Sequence, residues 1–406
     1  AEGSGEPIRV FEAHSDYEEA GFIVDEVKAL QREGVPLSGI ALLYRSNAQS
    51  RVLEHALFNA AVPYRVYGGL RFFERQEIKH ALAYLRLIGN SNDDGALLRV
   101  LNFPARGIGA RSLESLQEIA RSEGVSLWQA AQLKRLGGKA GAAISAFTAL
   151  IESMREVCAA LPLAEQVEHM LEQSGLLAHY KNEKEGADRL ENLNELINAA
   201  AAFELEHSRE AGEGDVDPLT AFLTHASLEA GEHQAIAGQE ALQLMTVHAA
   251  KGLEFHTVFL SGLEEGLFPH ENSSREKDGV EEERRLMYVA ITRARRRLYL
   301  SFADSRMLHG QQRYGIASRF LEELPPPLLK RINHDSAAQP MQPPATRAES
   351  ASASGWHIGQ AVSHPKFGPG IIINSEGRGA DARVQVSFSQ AGVKWLALEY
   401  ARLEAT

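Results

Sequence analysis

The chain has 406 residues, enough for two or three domains with cores of their own; 44% are apolar, yet no uninterrupted apolar run approaches the ~20 residues that cross a bilayer. A net charge of −12 argues against a uniformly basic nucleic-acid binder while leaving room for local basic patches. A single cysteine, Cys158, excludes an internal disulfide and cysteine-built zinc clusters, and no metal-ligating group is expected.

The first residues carry neither an initiating Met nor a basic-then-apolar leader, as expected of a cytoplasmic protein or a piece of a longer one. Ile8 to Phe11 reads as a short strand, and Glu18 to Arg32 carries helical spacing at Ala20, Ile23, Val24, Val27 and Leu30. The continuous apolar run Ile40 to Tyr44 suits a buried parallel strand, followed by a helix from Ser50 to Ala60. From Glu74 to Gln239 the pattern is helical almost throughout, with loops at Asn90 to Asp94 and Gly212 to Pro218. Strand character returns at Ala241 to Thr246 and at Thr257 to Leu260, so an α/β domain is interrupted by a helical insertion. Residues 333–354, rich in Ala, Ser, Pro and Gln, form a linker. Short β-type runs then follow at Val362, Ile371 to Ile373, Val384 to Phe388 and Val393 to Leu396, as in a small barrel.

Two segments concentrate the chemistry. In Leu244 to Phe255, Lys251-Gly252 follows an apolar strand, and Gly252 lets the backbone approach a phosphate or base closely. Thr246, His248 and Lys251 are donors suited to a nucleic-acid backbone, and Glu254 is an acceptor for a ribose hydroxyl. In Glu281 to Ala294, Leu286, Val289 and Ala290 share a helix face, and Glu281 is placed to pair with Arg285. Arg293, on an otherwise small and apolar face, suits contact with a neighbouring domain's phosphate. Taken singly, the turn residues read first as ordinary turn residues and the second segment as a solvated charged helix; Arg293 is harder to dismiss. Further upstream, Asn102 to Ser112 places Gly107-Ile108-Gly109 between Arg106 and Arg111, ahead of a helix that Ser112 is placed to cap. Such a turn with free amides cradles phosphates without reading bases.

The two segments resemble motifs V and VI of the UvrD/PcrA/Rep group of superfamily-1 DNA helicases, and the likeness extends over essentially the whole chain. Leu43 to Arg51 and Gly68 to Ile78 resemble that group's additional motifs in its second RecA-like domain. Gly359 onward, through Pro365 to Gly368 and Lys394-Trp395-Leu396, resembles its Tudor-like tail. The resemblance implies a RecA-like domain of phosphate-loop NTPase type in two segments, residues 1–68 and 240–332. It further implies an all-α insertion domain over 69–239 and a Tudor/SH3-like β-barrel over 355–406. Arg293 is then the motif VI arginine that touches the γ-phosphate of ATP, and Glu254 holds the ribose. Asn47, Thr246, His248 and His270 face single-stranded DNA, while Lys251 links strand and nucleotide. Arg106 to Arg111 resembles the duplex-binding hairpin of the insertion. His309 stands at the tip of the strand-splitting hairpin, where the group carries a Tyr.

No Gly-x-x-x-x-Gly-Lys-Ser/Thr phosphate loop is present, since Gly137-Gly138-Lys139-Ala140 lacks the spacing and the hydroxyl, and no Asp-Glu pair ends an apolar strand. The chain therefore matches only the group's C-terminal portion, and most of an ATP and Mg²⁺ site is expected elsewhere. The implied activity is a 3′-to-5′ ATP-dependent helicase in nucleotide excision repair, mismatch repair and replication. Its implied partners are single strands and junctions, RNA polymerase or repair proteins at the tail, and a second copy in a dimer. The chain alone is expected not to hydrolyse ATP. The alternative is a truncated, non-catalytic DNA-binding or polymerase-docking module.

Overall fold

The computed structural model describes residues 6–184, 186–210, 217–231, 239–274, 276–308, 311–332, 361–376, 383–388, 392–398, 401 and 403–405. The linker at 333–354 and His309 lie outside them.

The first part runs β1 (Ile8–Ala13), α1 (Asp16–Arg32), β2 (Ile40–Tyr44), α2 (Ser50–Asn59) and β3 (Tyr64–Val66). A helical segment follows, comprising α3 (Gln76–Gly89), α4 (Asp94–Val100), α5 (Ala110–Glu123), α6 (Leu127–Gln132), α7 (Gly138–Cys158), α8 (Leu163–Ser174), α9 (Leu176–Lys181), α10 (Gly186–Glu210) and α11 (Pro218–Gly231). The chain returns through β4 (Leu242–Thr246), β5 (Phe255–Leu260), α12 (Glu271–Ser274), α13 (Gly279–Ile291), β6 (Ala294–Ala303), β7 (Ser305–Leu308), β8 (Gln311–Tyr314), α14 (Arg319–Glu322) and β9 (Leu329–Arg331). Last come β10 (Ala361–His364), β11 (Gly368–Glu376), β12 (Arg383–Phe388), β13 (Gly392–Ala397) and β14 (Glu404–Ala405).

Strands from both sides of the helical segment build one sheet in the order β3-β4-β2-β5-β6-β1-β9, every pair parallel. Alternate side chains of a strand point to opposite faces, so a central parallel strand needs apolar residues at every position. β2 meets that requirement and is buried along its length. Its Ile40, Leu42 and Tyr44 pack with Ile23, Val27 and Leu30 of α1 and Leu53 and Leu57 of α2. Its Ala41 and Leu43 pack on the other face with Leu286, Met287 and Ala290 of α13. α1 starts where the Ser15 side chain accepts from the Glu18 amide, and its acidic first turn and Arg32 in the last complement the helix dipole.

Between β3 and β4 the described residues contain helices and no strand pairing, and they share a separate core from Phe72 to Ala226. The last strands form a five-stranded antiparallel sheet over Val362, Ile372, Val384, Val386 and Leu403. Four expectations need correction. Ser112 does not cap α5, because the helix already begins at Ala110 with Gly109 at its N-cap and no side-chain cap. Glu281 pairs with Arg284, and Arg285 with Glu282, so i,i+3 partners replace the expected i,i+4 pair. Arg293 is not on a helix face: α13 ends at Ile291. Pro218, expected in a loop, opens α11; Gly212 to Val216 lie outside the described residues.

Candidate functional site

In an open parallel sheet the loops at the carboxyl ends of adjacent strands line the crevice where ligands bind. β4, β2 and β5 are neighbours, with Tyr44 in register with Thr246 and Leu43 with Leu260, so their carboxyl ends are level. Asn47, Thr246, His248 and His270 lie on the segments leaving this edge. The turn after β2 is a short 3-10 helix, Asn47–Gln49, closed by a capping box between Ser46 and Gln49. Buried Arg75 holds it from below, donating to the Asn47 carbonyl at 3.0 Å and to Asn192 Oδ1 at 2.8 Å. The half-buried Asn47 carboxamide has no hydrogen-bond partner among the described residues.

A residue pair far apart in sequence organises the edge. Arg45 forks onto Glu283 of α13, Nε to Oε2 at 2.9 Å and Nη2 to Oε1 at 2.6 Å, and the His270 amide donates to the same carboxylate at 3.1 Å. Burial alone would push the Glu283 carboxyl up, but the Arg45 bonds and charge outweigh it and hold it below the usual range. The His270 ring meets Glu191 of α10 at 3.2 Å, and Ser46 Oγ donates to the other Glu191 oxygen at 2.5 Å. His270 is thus clasped to the helical segment. The His248 ring is held below its ordinary pKa, first by partial burial and then by the positive charge of Arg45, which favours its neutral form. In that form it offers hydrogen bonds and a ring face, with no charge for a phosphate. A cleft of about 190 Å³ runs past Ser46, Gln49, Glu191, His270, Arg306 and Met307. Beside it the β7–β8 hairpin is anchored by Arg306, whose guanidinium binds buried Glu264 at 2.7 Å and also reaches Glu19.

Glu254 and Arg293 lie on the opposite edge. Phe255 opens β5 and pairs with Ala294, the first residue of β6, so both residues precede the amino ends of these strands. Arg293 donates from Nε to the Val289 carbonyl at 3.0 Å, from Nη1 to the Leu253 carbonyl at 2.7 Å and from Nη2 to Thr292 Oγ1 at 3.0 Å. A cation is stabilised there, at the carbonyl end of α13. Among the described residues three of the five N–H donors of the guanidinium are used, leaving two for an anion. Glu254 is exposed, its nearest cation Arg295 at 3.7 Å. The loop from Val247 to Glu254 connects the two edges: Val247 and Ala250 are buried on the sheet, while Lys251 projects into solvent. Gly252 adopts φ +85°, a left-handed conformation with open space around it.

The Gly107-Ile108-Gly109 turn forms a separate site. The Asn102 side chain accepts from the amides of Arg106 at 2.8 Å and Ile108 at 3.1 Å, and the Ile108 side chain is buried. Gly107 takes φ +77°. Among the described residues the amides of Gly107, Gly109, Ala110 and Arg111 have no protein acceptor, as a phosphate cradle at the start of α5 requires. Arg106 turns inward, donating to Tyr84 Oη at 2.7 Å and to the carbonyls of Ser174 at 2.9 Å and Pro104 at 3.0 Å. It braces the loop, and of the two flanking arginines only Arg111 is exposed. Sequence reasoning missed Asn102, Arg45, Glu283 and Glu191. The one available signal was an acidic residue at helical spacing from Leu286 and Ala290, on their apolar face, at Glu283.

A family model described as the UvrD-like helicase C-terminal domain matches residues 1–305, and one described as the PcrA/UvrD tudor domain matches residues 358–404. DNA helicase II of Escherichia coli (strain K12) is 47% identical, the match covering 99% of this chain and 56% of that protein. DNA helicase II of Haemophilus influenzae is 44% identical over 98% of this chain and 56% of its own length. ATP-dependent DNA helicase PcrA of Bacillus subtilis is 38% identical over 98% of this chain and 57% of its own. The chain thus spans little more than half the length of these curated relatives.

Proposed function

The chain belongs to the UvrD-like helicase family, and from that membership we propose that it is the C-terminal portion of an ATP-dependent DNA helicase of UvrD type. It moves 3′ to 5′ on single strands in nucleotide excision repair, mismatch repair and replication. The observation that carries this reading is the placement of the site residues on two opposite edges of one sheet, joined by the Val247 to Glu254 loop. Asn47, Thr246, His248 and His270 grip the strand at one edge, with Arg45 and Glu283 positioning His270. Arg293 and Glu254 face the nucleotide at the other, and Lys251 lies between.

ATP with Mg²⁺, held chiefly by a phosphate-loop domain in the remainder of the protein, supplies the energy. The two remaining Arg293 donors stabilise charge on the γ-phosphoryl oxygens, a role worth roughly 10³ to 10⁵ in rate for arginines of this kind. The helical segment acts as an insertion domain whose Gly107 to Arg111 turn holds duplex phosphates. His309 stacks on the terminal base pair with less area than a Tyr. The Tudor-like domain docks RNA polymerase or repair proteins.

Fluorescence anisotropy of this chain with a single-strand/duplex junction and with the bare single strand, over a salt series, tests the DNA assignments. Tighter junction binding with a clear salt slope is expected. Binding to neither would refute the duplex and strand contacts proposed for this portion.

A further inference from the structure

Three helices converge on a cluster of imidazoles and carboxylates that the helicase reading does not use. His55 lies on α2 of the sheet unit, His225 and Glu229 on α11, and Glu206 on α10. The i,i+4 spacing puts His225 and Glu229 on one face of α11. One ligand atom from each of His55, His225 and Glu229 lies within 4.8 Å of the others. His225 Nε2 is 3.5 Å from Glu229 Oε1, close to the about 3.4 Å that separates donors around a tetrahedral zinc with bonds of about 2.0 to 2.1 Å. His55 Nδ1 lies 2.6 Å from the same oxygen, in a hydrogen bond whose proton occupies the space a cation would take.

The surroundings suit a dication. The other ring nitrogen of His55 lies 3.0 Å from Asn59 Nδ2 and 3.6 Å from Glu206 Oε2, which puts Glu206 in the place of the outer carboxylate that orients a metal-bound imidazole. As metal ligands both imidazoles are neutral, so the two carboxylates present a charge of −2; without a metal, Glu206 and Glu229 outweigh burial and raise the His55 ring to about 9, so that a proton on His55 balances one of them. Arg51, the nearest other cation, is already matched by Glu195 at 2.5 Å and reaches Tyr17 Oη. A cavity of about 10 Å³ beside these groups has room for one water as a fourth ligand. The side chains of His55 and Glu229 are 12% and 7% exposed, and that of His225 is 26%, so the site is sheltered yet reachable.

We propose that His55, His225 and Glu229, with Glu206 behind His55, form a zinc-class site that pins α11 and α10 of the helical segment to α2 of the sheet unit. This goes beyond the helicase reading and does not depend on it. No sequence spacing announces it, because the ligands come from distant parts of the chain.

The test uses the untagged, chelator-stripped 406-residue chain titrated with Co²⁺ and then Zn²⁺. Visible d–d bands of a low-coordinate site should saturate at one equivalent of Co²⁺, be displaced by Zn²⁺, and accompany a rise in melting temperature. His225→Ala should weaken binding more than 100-fold and abolish the thermal shift, and Glu206→Gln should weaken it about 10- to 100-fold. Glu206 is on the exposed side, so its variant remains informative should His225→Ala fail to fold. No bands at stoichiometric cobalt, or bands and thermal shift unchanged in Glu206→Gln and in folded His225→Ala, would overturn the site and leave a proton-bridged ion cluster.

Discussion

Glu283→Gln isolates the charge pair that organises the carboxyl edge of the sheet. Gln keeps the volume and one acceptor, so the loss reads chiefly the Arg45 charge left without its partner. Two unit charges at 2.6 Å attract by about 6 kcal/mol at an effective dielectric of 20, against which both desolvation penalties stand. Breaking a buried pair from one side costs about 3 to 5 kcal/mol. The Arg45 side chain keeps 17% exposure and can turn toward water, which places the cost near the lower end, about 3 kcal/mol. The His270 amide also loses half its acceptor. Urea unfolding of the chain followed by far-UV circular dichroism should show the transition of the sheet unit shifted by that amount. The double variant Arg45→Met with Glu283→Gln should recover part of it, because neither charge is then stranded. A single-variant loss under 0.5 kcal/mol, or strict additivity in the double variant, would show that the pair does not hold this edge together.

Other outcomes follow from the same structure. His80 is held down to about 4, by burial first and then by the charges of Arg99, His179 and Arg189. Between pH 6.5 and 4 the unfolded chain therefore binds a proton that the fold refuses, and stability should fall by about 3 kcal/mol as pH drops through that window; His80→Gln should flatten this part of the pH profile of urea midpoints. Gly107→Ala meets open space but must hold φ +77°, a strain of about 1 to 2 kcal/mol confined to the turn, so junction affinity should drop several-fold in anisotropy with single-strand affinity unchanged. Arg306→Met strands the Glu264 and Glu19 carboxylates, 4% and 2% exposed, and should cost about 3 to 5 kcal/mol in a thermal melt, more than Glu283→Gln.

Elements whose signal is local were legible in the sequence. Ile40 to Tyr44 reads as a buried strand because both its faces are covered, and the spacing over Glu18 to Arg32 reads as α1 because one face is. β3 is three residues long and β6 carries the exposed Arg295-Arg296 directly after its first residue, so neither carries a periodicity that separates it from a loop or a helix end. The order β3-β4-β2-β5-β6-β1-β9 depends on pairings across the helical segment, which periodicity does not encode. The site divides in the same way. Lys251, Glu254 and Arg293 stand out through motif spacing, whereas Arg45 and Glu283 meet across 238 positions. Arg106 looks like a phosphate contact by charge alone. Only its inward bonds to Tyr84 and Ser174 show that it braces the loop.

Under the proposed function, Arg293 is the arginine of a nucleotide site that another domain completes. The most direct measurement is ATP turnover of Arg293→Ala in a protein that joins this chain to its phosphate-loop domain, with single-strand affinity measured alongside. Turnover should fall by roughly 10³ or more while single-strand affinity stays within about twofold, because Arg293 lies on the edge opposite Asn47 and Thr246. Unchanged turnover, or an equal loss of strand binding, would contradict the proposed division of the sheet into a nucleotide edge and a strand edge.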